Sequence, residues 1–410
     1  MRSSSQEVGF SQSELRSLYL LFMPFGIAIM SAAPRFPDFE SQLHLNNGLF
    51  GTFVSLGAIG SFLALTSIAR YVHYHGVKRA LILASFFMYG GLAISPHLHT
   101  GWIWLIDNIF IAFGASAYHV SINTQAFARQ KQAGGNFLPK LHGSWSFGAL
   151  FAAVLAFAIT QSVSLCWHLT TLALAMACVT AIGAYRIRHL LVKGVAKEEG
   201  VKDEVPSFTL KGLMAMLKYE PLLNLAMLLG IQLELATNDW STIYSHKNLG
   251  ISESLSILPY ILFLVTLILM RFFFPKFFLV MSEKSMIKIF PSLGGGFFLI
   301  FLLAGHFVGS NHRVVAFTLT NFAFIFAGAG CCFMSPLFFT IAARRAQIPS
   351  SLVIASLGVV NTILIFLVKL VIAWSAQNIG LVYALMIPGV MLVFTFVGSN
   401  MALNRKASEI

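Results

Sequence analysis

Long stretches without charged residues dominate the hydropathy pattern of the chain. A helix rises about 1.5 Å per residue and the hydrocarbon core of a membrane is about 30 Å thick, so a span needs about 20 mainly apolar residues. The pattern predicts an all-α membrane protein. Several long stretches contain no Asp, Glu, Lys or Arg, among them 41–69, 80–106, 141–185, 289–312, 314–343, 346–368 and 370–404.

Turn signals divide these stretches into single spans. The stretch 141–185 is too long for one helix and turns at the polar residues 161–164, while 80–106 turns at Pro96, which ends helices. We therefore predict twelve transmembrane helices. They cover 15–37, 47–71, 79–96, 101–127, 141–161, 166–189, 221–244, 255–279, 287–309, 314–341, 350–375 and 379–403.

The most polar segment separates two halves of equal length. Residues 1–190 and 221–410 each hold six predicted helices, and 191–220 is a charged linker. Two six-helix halves joined in this way are typical of transporters built from repeats. Within the linker, the apolar positions of 208–217 suit either a short amphipathic helix on the membrane surface or a plain connector.

The basic residues follow the predicted topology. With the N-terminus in the cytoplasm, 23 of the 27 Lys and Arg residues fall at cytoplasmic helix ends or loops, Arg271 among them. Arg35, Lys247 and Arg313 are external, and Lys369 lies inside a span. This positive-inside bias predicts that both termini are cytoplasmic. It also explains the net charge of +12 without a nucleic-acid partner.

Composition and motifs exclude several other classes. The chain is 57% hydrophobic and only 10% charged, which a soluble or disordered protein cannot accommodate. The four cysteines show no metal or disulfide pattern, and no phosphate-binding loop indicates ATP-driven transport. No nucleophile and base are placed together, so we expect neither an enzyme nor a bound cofactor.

Three local strings carry a family resemblance. They are 34–38 followed by Gly48 and Gly51, 123–126 followed by 141–148, and 238–241. With these strings the chain resembles the major facilitator superfamily over essentially its whole length, and in particular the poorly characterised bacterial inner-membrane branch near the fucose permeases. The resemblance implies the major facilitator fold, an inner-membrane location, a small-molecule substrate and a monomer.

One superfamily signature is altered. Between helices two and three the superfamily has Gly-x-x-x-Asp-Arg-x-Gly-Arg-Lys/Arg, and Gly76, Lys78 and Arg79 match only its end. Its Asp and Arg positions read His73 and Tyr74. The latch that this signature implies is therefore either absent or carried by protonated His73.

Ionisable residues inside spans are the candidates for proton coupling, because each costs about 2.5–3.5 kcal/mol to insert. Glu234 lies near the middle of helix seven, where an acid could bind and release a proton near neutral pH. Asp239 lies about 140° away around that helix, so the two carboxylates cannot both face one ligand squarely. Imidazole ordinarily titrates near neutral pH, so His119 is a further candidate, and Asp107 completes this set. For each of them a structural role is the alternative.

Further polar and aromatic residues are candidates for binding and gating. Lys369 could bind an anionic substrate, be neutralised by Glu234 or Asp107, or extend to the outer interface. Arg35 and His142, at helix ends, are candidate gating residues, with interfacial roles as the alternative. The remaining substrate-binding candidates are Asn123, Asn238, Tyr118 and Trp145.

These features predict a secondary active transporter of a small polar solute, sugar-like or another metabolite. We expect H⁺-coupled symport through Glu234, with help from the other titratable groups. An H⁺-coupled exporter of drugs or metabolites is an alternative with the same fold. A non-transporting membrane receptor is an alternative of another class.

Overall fold

The computed structural model describes residues 12–133, 138–195, 221–277, 279–309, 312–334, 337–338, 341 and 350–404. Helices and turns account for these residues, and none of them forms a strand. The helices are α1 Gln12–Ser31, α2 Phe36–Gln42, α3 Asn47–Leu56, α4 Ala58–Ile94, α5 Gly101–Ala133, α6 Leu138–Ile159, α7 Leu165–Arg186, α8 Pro221–Ile243, α9 Leu258–Phe277, α10 Glu283–Val308, α11 Arg313–Cys331, α12 Ser350–Asn378 and α13 Leu381–Asn404.

The predicted all-α membrane fold is confirmed, and each predicted span coincides with one or more helices. Among the described residues, nine helical stretches are long and apolar enough to cross a membrane, and 381–397 is a shorter apolar helix. α8 is not one of the nine, because its apolar residues are interrupted by polar ones. A π-helical turn, Tyr244–Asn248, extends this polar helix.

The helices differ from the prediction mainly at their junctions. The predicted first span is α1, a 3-10 turn at Ala33–Arg35, and α2. The second and third predicted spans meet within α4, which is interrupted only at Gly76. The segment 208–217, for which the sequence left an amphipathic helix and a plain connector open, lies outside the described residues, as do both chain termini.

Two compact units divide the chain. The first comprises Met1–Ala32, Leu56–Ala152 and Val163–Ser207, and the second comprises Ala33–Ser55, Ala153–Ser162 and Phe208–Ile410. In the first unit, α1 buries Leu18, Leu21, Phe22 and Phe25. This spacing places all four on one face of the helix, which therefore packs into the core.

The turn at Gly76 is held by backbone bonds to the segment after α7. Gly76 has φ +78° and ψ 166°, a backbone conformation that residues other than glycine rarely adopt. Val77 N donates to Val192 O at 2.9 Å, and Val195 N donates to His73 O at 2.9 Å. The altered signature therefore contributes its backbone to this contact.

Gln125 of α5 anchors the same segment. Its Nε2 donates to Leu190 O at 2.9 Å, and Val192 N donates to its Oε1 at 2.9 Å. Gln125 is fully buried, so its amide satisfies two backbone groups that water would reach with difficulty. One side chain thus ties the end of the first unit to α5.

We expect Gly76→Ala to lower the free energy of unfolding by about 1–3 kcal/mol, the usual cost of a strained backbone conformation. A Cβ at Gly76 would also lie 2.8 Å from Val192 O. The matched control is Gly90→Ala on the same helix, where a Cβ meets no atom within 4 Å. Thermal unfolding in detergent should show loss of stability only for Gly76→Ala, and equal midpoints would contradict the strained turn.

Candidate functional site

The partly open face of α8 is polar. Glu234, Leu235, Asn238 and Asp239 are half-buried, whereas 231–233, 236–237 and 240–243 are buried. Positions i, i+1, i+4 and i+5 form one side of a helix, so these residues make a single strip. Three of the four residues in this strip carry hydrogen-bonding groups.

Asp239 forms a close ion pair with Lys369 of α12. The Lys369 Nζ lies 2.7 Å from Asp239 Oδ2, and the two side chains are only 20% and 15% exposed. Lys369 therefore pairs with Asp239 and not with Glu234 or Asp107, the two partners that the sequence suggested. The suggestion failed because a helical wheel gives the direction of a side chain and not the neighbouring helix that it meets.

A small cavity adjoins this ion pair. It has a volume of about 10 Å³, close to the minimum for one water molecule, and both charged residues contribute to its wall. Gly51 of α3 contributes to the same wall. A Cβ at Gly51 would lie 2.5 Å from Ala373 Cβ and 2.6 Å from Trp240 Cζ2, so only glycine allows this close packing beside the pair.

Glu234 pairs with Arg271 of α9. Arg271 Nη2 lies 3.4 Å from both carboxylate oxygens, and Arg271 Nε donates to Cys332 O at 2.6 Å. Cys332 directly follows α11, so Arg271 satisfies a carbonyl that the end of that helix leaves free. The sequence analysis placed Arg271 among the cytoplasmic helix ends and did not pair it with Glu234; in the structure it lies six residues before the end of α9. Its position before three Phe residues could have indicated a cation within the helix.

Two buried amides lie near these pairs on α8. Among the described residues, Asn238 Oδ1 has no hydrogen-bond partner, and neither does the amide of Gln232. Gln232 is fully buried, and the sequence analysis did not select it. An unsatisfied buried amide costs about 1–3 kcal/mol, so these groups are candidates for contacts with a ligand.

In the first unit, the structure brings together two predicted histidines. The rings of His119 on α5 and His142 on α6 have centroids 6.4 Å apart, and His119 also stacks on Phe25. Asn123 Nδ2 donates to His119 O at 2.8 Å. Both histidine side chains are exposed, so His119, Asn123 and His142 form a second polar group.

Three other predicted residues of this unit have mainly structural contacts. Tyr118 is fully buried, and its hydroxyl donates to Leu21 O at 3.0 Å. The half-buried Trp145 packs its backbone against Gly26, and its Nε1 has no partner among the described residues. Asp107 is half-buried and bonds Ser95. These placements favour packing roles for Tyr118 above all.

Further ion pairs involve residues that the sequence analysis did not combine. Arg35, a predicted gating residue, is buried and forms a bidentate pair with Asp38 at 3.0 and 3.1 Å. Arg35 belongs to the second unit, and in that unit Lys247 Nζ also lies 2.7 Å from the buried Glu40. In the first unit, the buried Arg129 pairs with Glu14. The only sequence signal that Glu14 and Glu40 could form ion pairs was their position close to the ends of a predicted helix.

Among the described residues, no group of three or more His, Cys, Asp or Glu side chains could hold a metal ion.

Comparison with known proteins identifies the fold. No protein-family model matches the chain. It is similar to the nucleoside transporter NupG, with a TM-score of 0.70 and 16% identity, covering 97% of this chain and 100% of that one. It is also similar to a peptide transporter POT, with a TM-score of 0.74, 12% identity and coverage of 95% and 94%. The chain has the major facilitator fold.

Other relatives agree with this fold. A D-xylose-proton symporter matches with a TM-score of 0.68 and 13% identity, covering 94% of this chain and 96% of that one. An uncharacterised MFS-type transporter of Yersinia pestis is 22% identical over 361 residues, which are 85% of each protein. These relatives are transporters and not enzymes, as the sequence analysis expected. The predicted resemblance to the superfamily is confirmed, whereas the position near the fucose permeases stays a prediction.

The ion pair of Asp239 and Lys369 can be tested within this major facilitator fold. Either Asp239→Asn or Lys369→Met leaves one charge unpaired away from water, and we expect each to lower the free energy of unfolding by about 3 kcal/mol. The double variant should lose clearly less free energy of unfolding than the sum of the losses in the two single variants, because it contains no unpaired charge.

The energetic coupling between Asp239 and Lys369 is measured by thermal unfolding in detergent of four proteins: the unsubstituted protein, the two single variants and the double variant. The control cycle combines Asp239→Asn with Lys276→Met, since Lys276 is exposed and lies at the end of α9. Additive losses in the first cycle would show that the ion pair does not contribute to stability.

Proposed function

We propose that the chain is a secondary active transporter of a small polar solute, with H⁺ as the coupling ion. It works by alternating access across the inner membrane of a bacterium. The observation that carries this proposal is the Glu234–Arg271 pair on the polar face of α8. The pair combines a titratable acid, N–O distances of 3.4 Å, and a cation that also donates to the backbone carbonyl of Cys332.

Protonation of Glu234 has a lower cost than protonation of Asp239. Neutral Glu234 would leave Arg271 with its 2.6 Å bond to Cys332 O. Neutral Asp239 would leave Lys369 without any ion-pair partner among the described residues. An unpaired charge away from water costs about 3–5 kcal/mol, so Glu234 is the better proton carrier and Asp239 the better permanent counter-ion.

The polar solute is supported by the groups around Glu234. The carboxylates, the amide of Asn238 and the ammonium of Lys369 can donate to and accept from hydroxyl, amide or charged groups. Three fold neighbours have names that indicate nucleosides, peptides and D-xylose, and the last is named a proton symporter. All three are small polar solutes.

Coupling requires that the solute binds the protonated and unprotonated protein with different affinities. Glu234 and Asn238 are four residues apart on one helix face, so the proton and the solute can share neighbouring groups. A proton that neutralises Glu234 changes the charge that the solute meets. This difference supplies the coupling free energy.

We expect Glu234→Gln to abolish solute accumulation driven by a pH gradient while leaving counterflow exchange of the solute. Glutamine keeps the size and hydrogen-bonding ability of protonated glutamate but cannot release a proton. The measurement uses liposomes with a trapped pH dye, to which sugars, nucleosides, amino acids and short peptides are added in turn.

The matched control is Glu253→Gln, since Glu253 is an exposed acid of the same unit. Counterflow also reports whether the Glu234→Gln protein is folded and binds solute. Normal gradient-driven accumulation by Glu234→Gln would remove Glu234 from the coupling mechanism. If no solute in the panel acidifies the interior of liposomes that contain the unsubstituted protein, the result would oppose symport itself.

A further inference from the structure

A long apolar groove lies within the first unit, between α4 and α7. Its volume is about 570 Å³, and its lining includes residues at intervals of three and four along 78–90 and 174–185. Lys78 to Gly90 spans twelve residues, or about 18 Å of helix. One leaflet of the hydrocarbon core is about 15 Å thick, so the groove is as long as the acyl chain of a membrane lipid.

Both large and small side chains line the groove. Ile82, Phe86 and Leu174 are exposed apolar residues of stretches that can span a membrane. The small residues of the lining include Gly90, Ala177, Ala181 and Ala184, and they form the part of the groove called its floor below. A Cβ at Gly90 would meet no atom within 4 Å, so this glycine leaves open space and is not required for close packing.

Two hydroxyl groups along the groove are already used inside the protein. Tyr89 Oη lies 2.7 Å from Thr180 Oγ1, and these hydroxyls bond each other. Tyr89 is buried, so the surface beside it is almost entirely hydrocarbon. A lining of this kind suits a lipid tail and not the polar solute of the proposed transport site.

Positive charge is concentrated at one end of the groove. Lys78 and Arg188 both line it and are exposed, and within the described part of the chain neither has an acidic partner. The Arg188 guanidinium lies 4.1 Å from the centre of the Tyr185 ring and donates to Tyr185 O at 3.0 Å. Stacking on an aromatic ring orients the guanidinium and leaves further N–H groups available.

We propose that this groove binds one acidic phospholipid. The phosphate bonds Lys78 and Arg188, and one acyl chain lies along the floor past Gly90. Two cations favour a net negative headgroup, because the ammonium of a zwitterionic headgroup would be repelled. The predicted topology places this end at the cytoplasmic side, where acidic lipids attract basic residues.

The test is native mass spectrometry of the purified protein with phosphatidylglycerol and with phosphatidylcholine of the same chains. Lys78→Ala/Arg188→Ala should weaken phosphatidylglycerol binding by about fivefold for each cation removed. Gly90→Leu fills the floor of the groove. It should weaken phosphatidylglycerol binding by about 15-fold, the equivalent of two displaced methylene groups at about 0.8 kcal/mol each.

Two matched variants serve as controls. Gly296→Leu places the same side chain at another glycine with open space around it, and Lys276→Ala/Lys288→Ala removes two exposed lysines of the second unit. Both should bind phosphatidylglycerol like the unsubstituted protein. Inorganic phosphate, which has the headgroup charge without a tail, should not compete with the lipid.

Several results would overturn the proposal. Equal affinity for the two lipids would exclude recognition of the acidic headgroup. Unchanged binding by Gly90→Leu would exclude a chain on the floor of the groove. Equal losses in the control variants would show attraction to the whole surface and not to this site. None of these outcomes depends on transport, so the proposed function is tested separately.

Discussion

The cost of holding charge away from water governs how the helices of this protein pack. A charged group in an apolar medium loses several kcal/mol of hydration, and a well-placed opposite charge offsets that loss. Each pair therefore links helices at a defined position along their axes. Four such pairs among the described residues are Glu14–Arg129, Glu40–Lys247, Glu234–Arg271 and Asp239–Lys369.

The two pairs on α8 follow from the geometry of a single helix. Asp239 lies five positions after Glu234, which places their side chains about 140° apart. Glu234 meets α9 and Asp239 meets α12, so the two acids connect α8 with two different neighbours. The polar residues that lower the hydropathy of α8 are the same residues that hold it in the second unit.

The sequence predicted the helices well because their signal is local. A run of about 20 apolar residues is sufficient to identify a span, and Pro96 and the polar residues 161–164 marked two of the turns. The partners of charged residues are not local, since they depend on which helices become neighbours. Thus the separation of Glu234 and Asp239 was predictable, whereas the pairing of Lys369 with Asp239 and of Arg271 with Glu234 was not. Gln125 was also passed over, because its contacts with Leu190 and Val192 involve backbone that has no sequence signature.

The two cations that pair with α8 differ in how many groups hold them. Arg271 has several N–H groups in a fixed fork and divides them between a carboxylate and the end of α11, so loss of one contact leaves the other. Lys369 has one ammonium group in contact with one carboxylate at 2.7 Å. Loss of the Glu234 carboxylate would therefore leave Arg271 attached to the end of α11, whereas loss of the Asp239 carboxylate would leave Lys369 without an ion-pair partner among the described residues. The link between α8 and α12 thus depends on one contact, and the position of Arg271 depends on two.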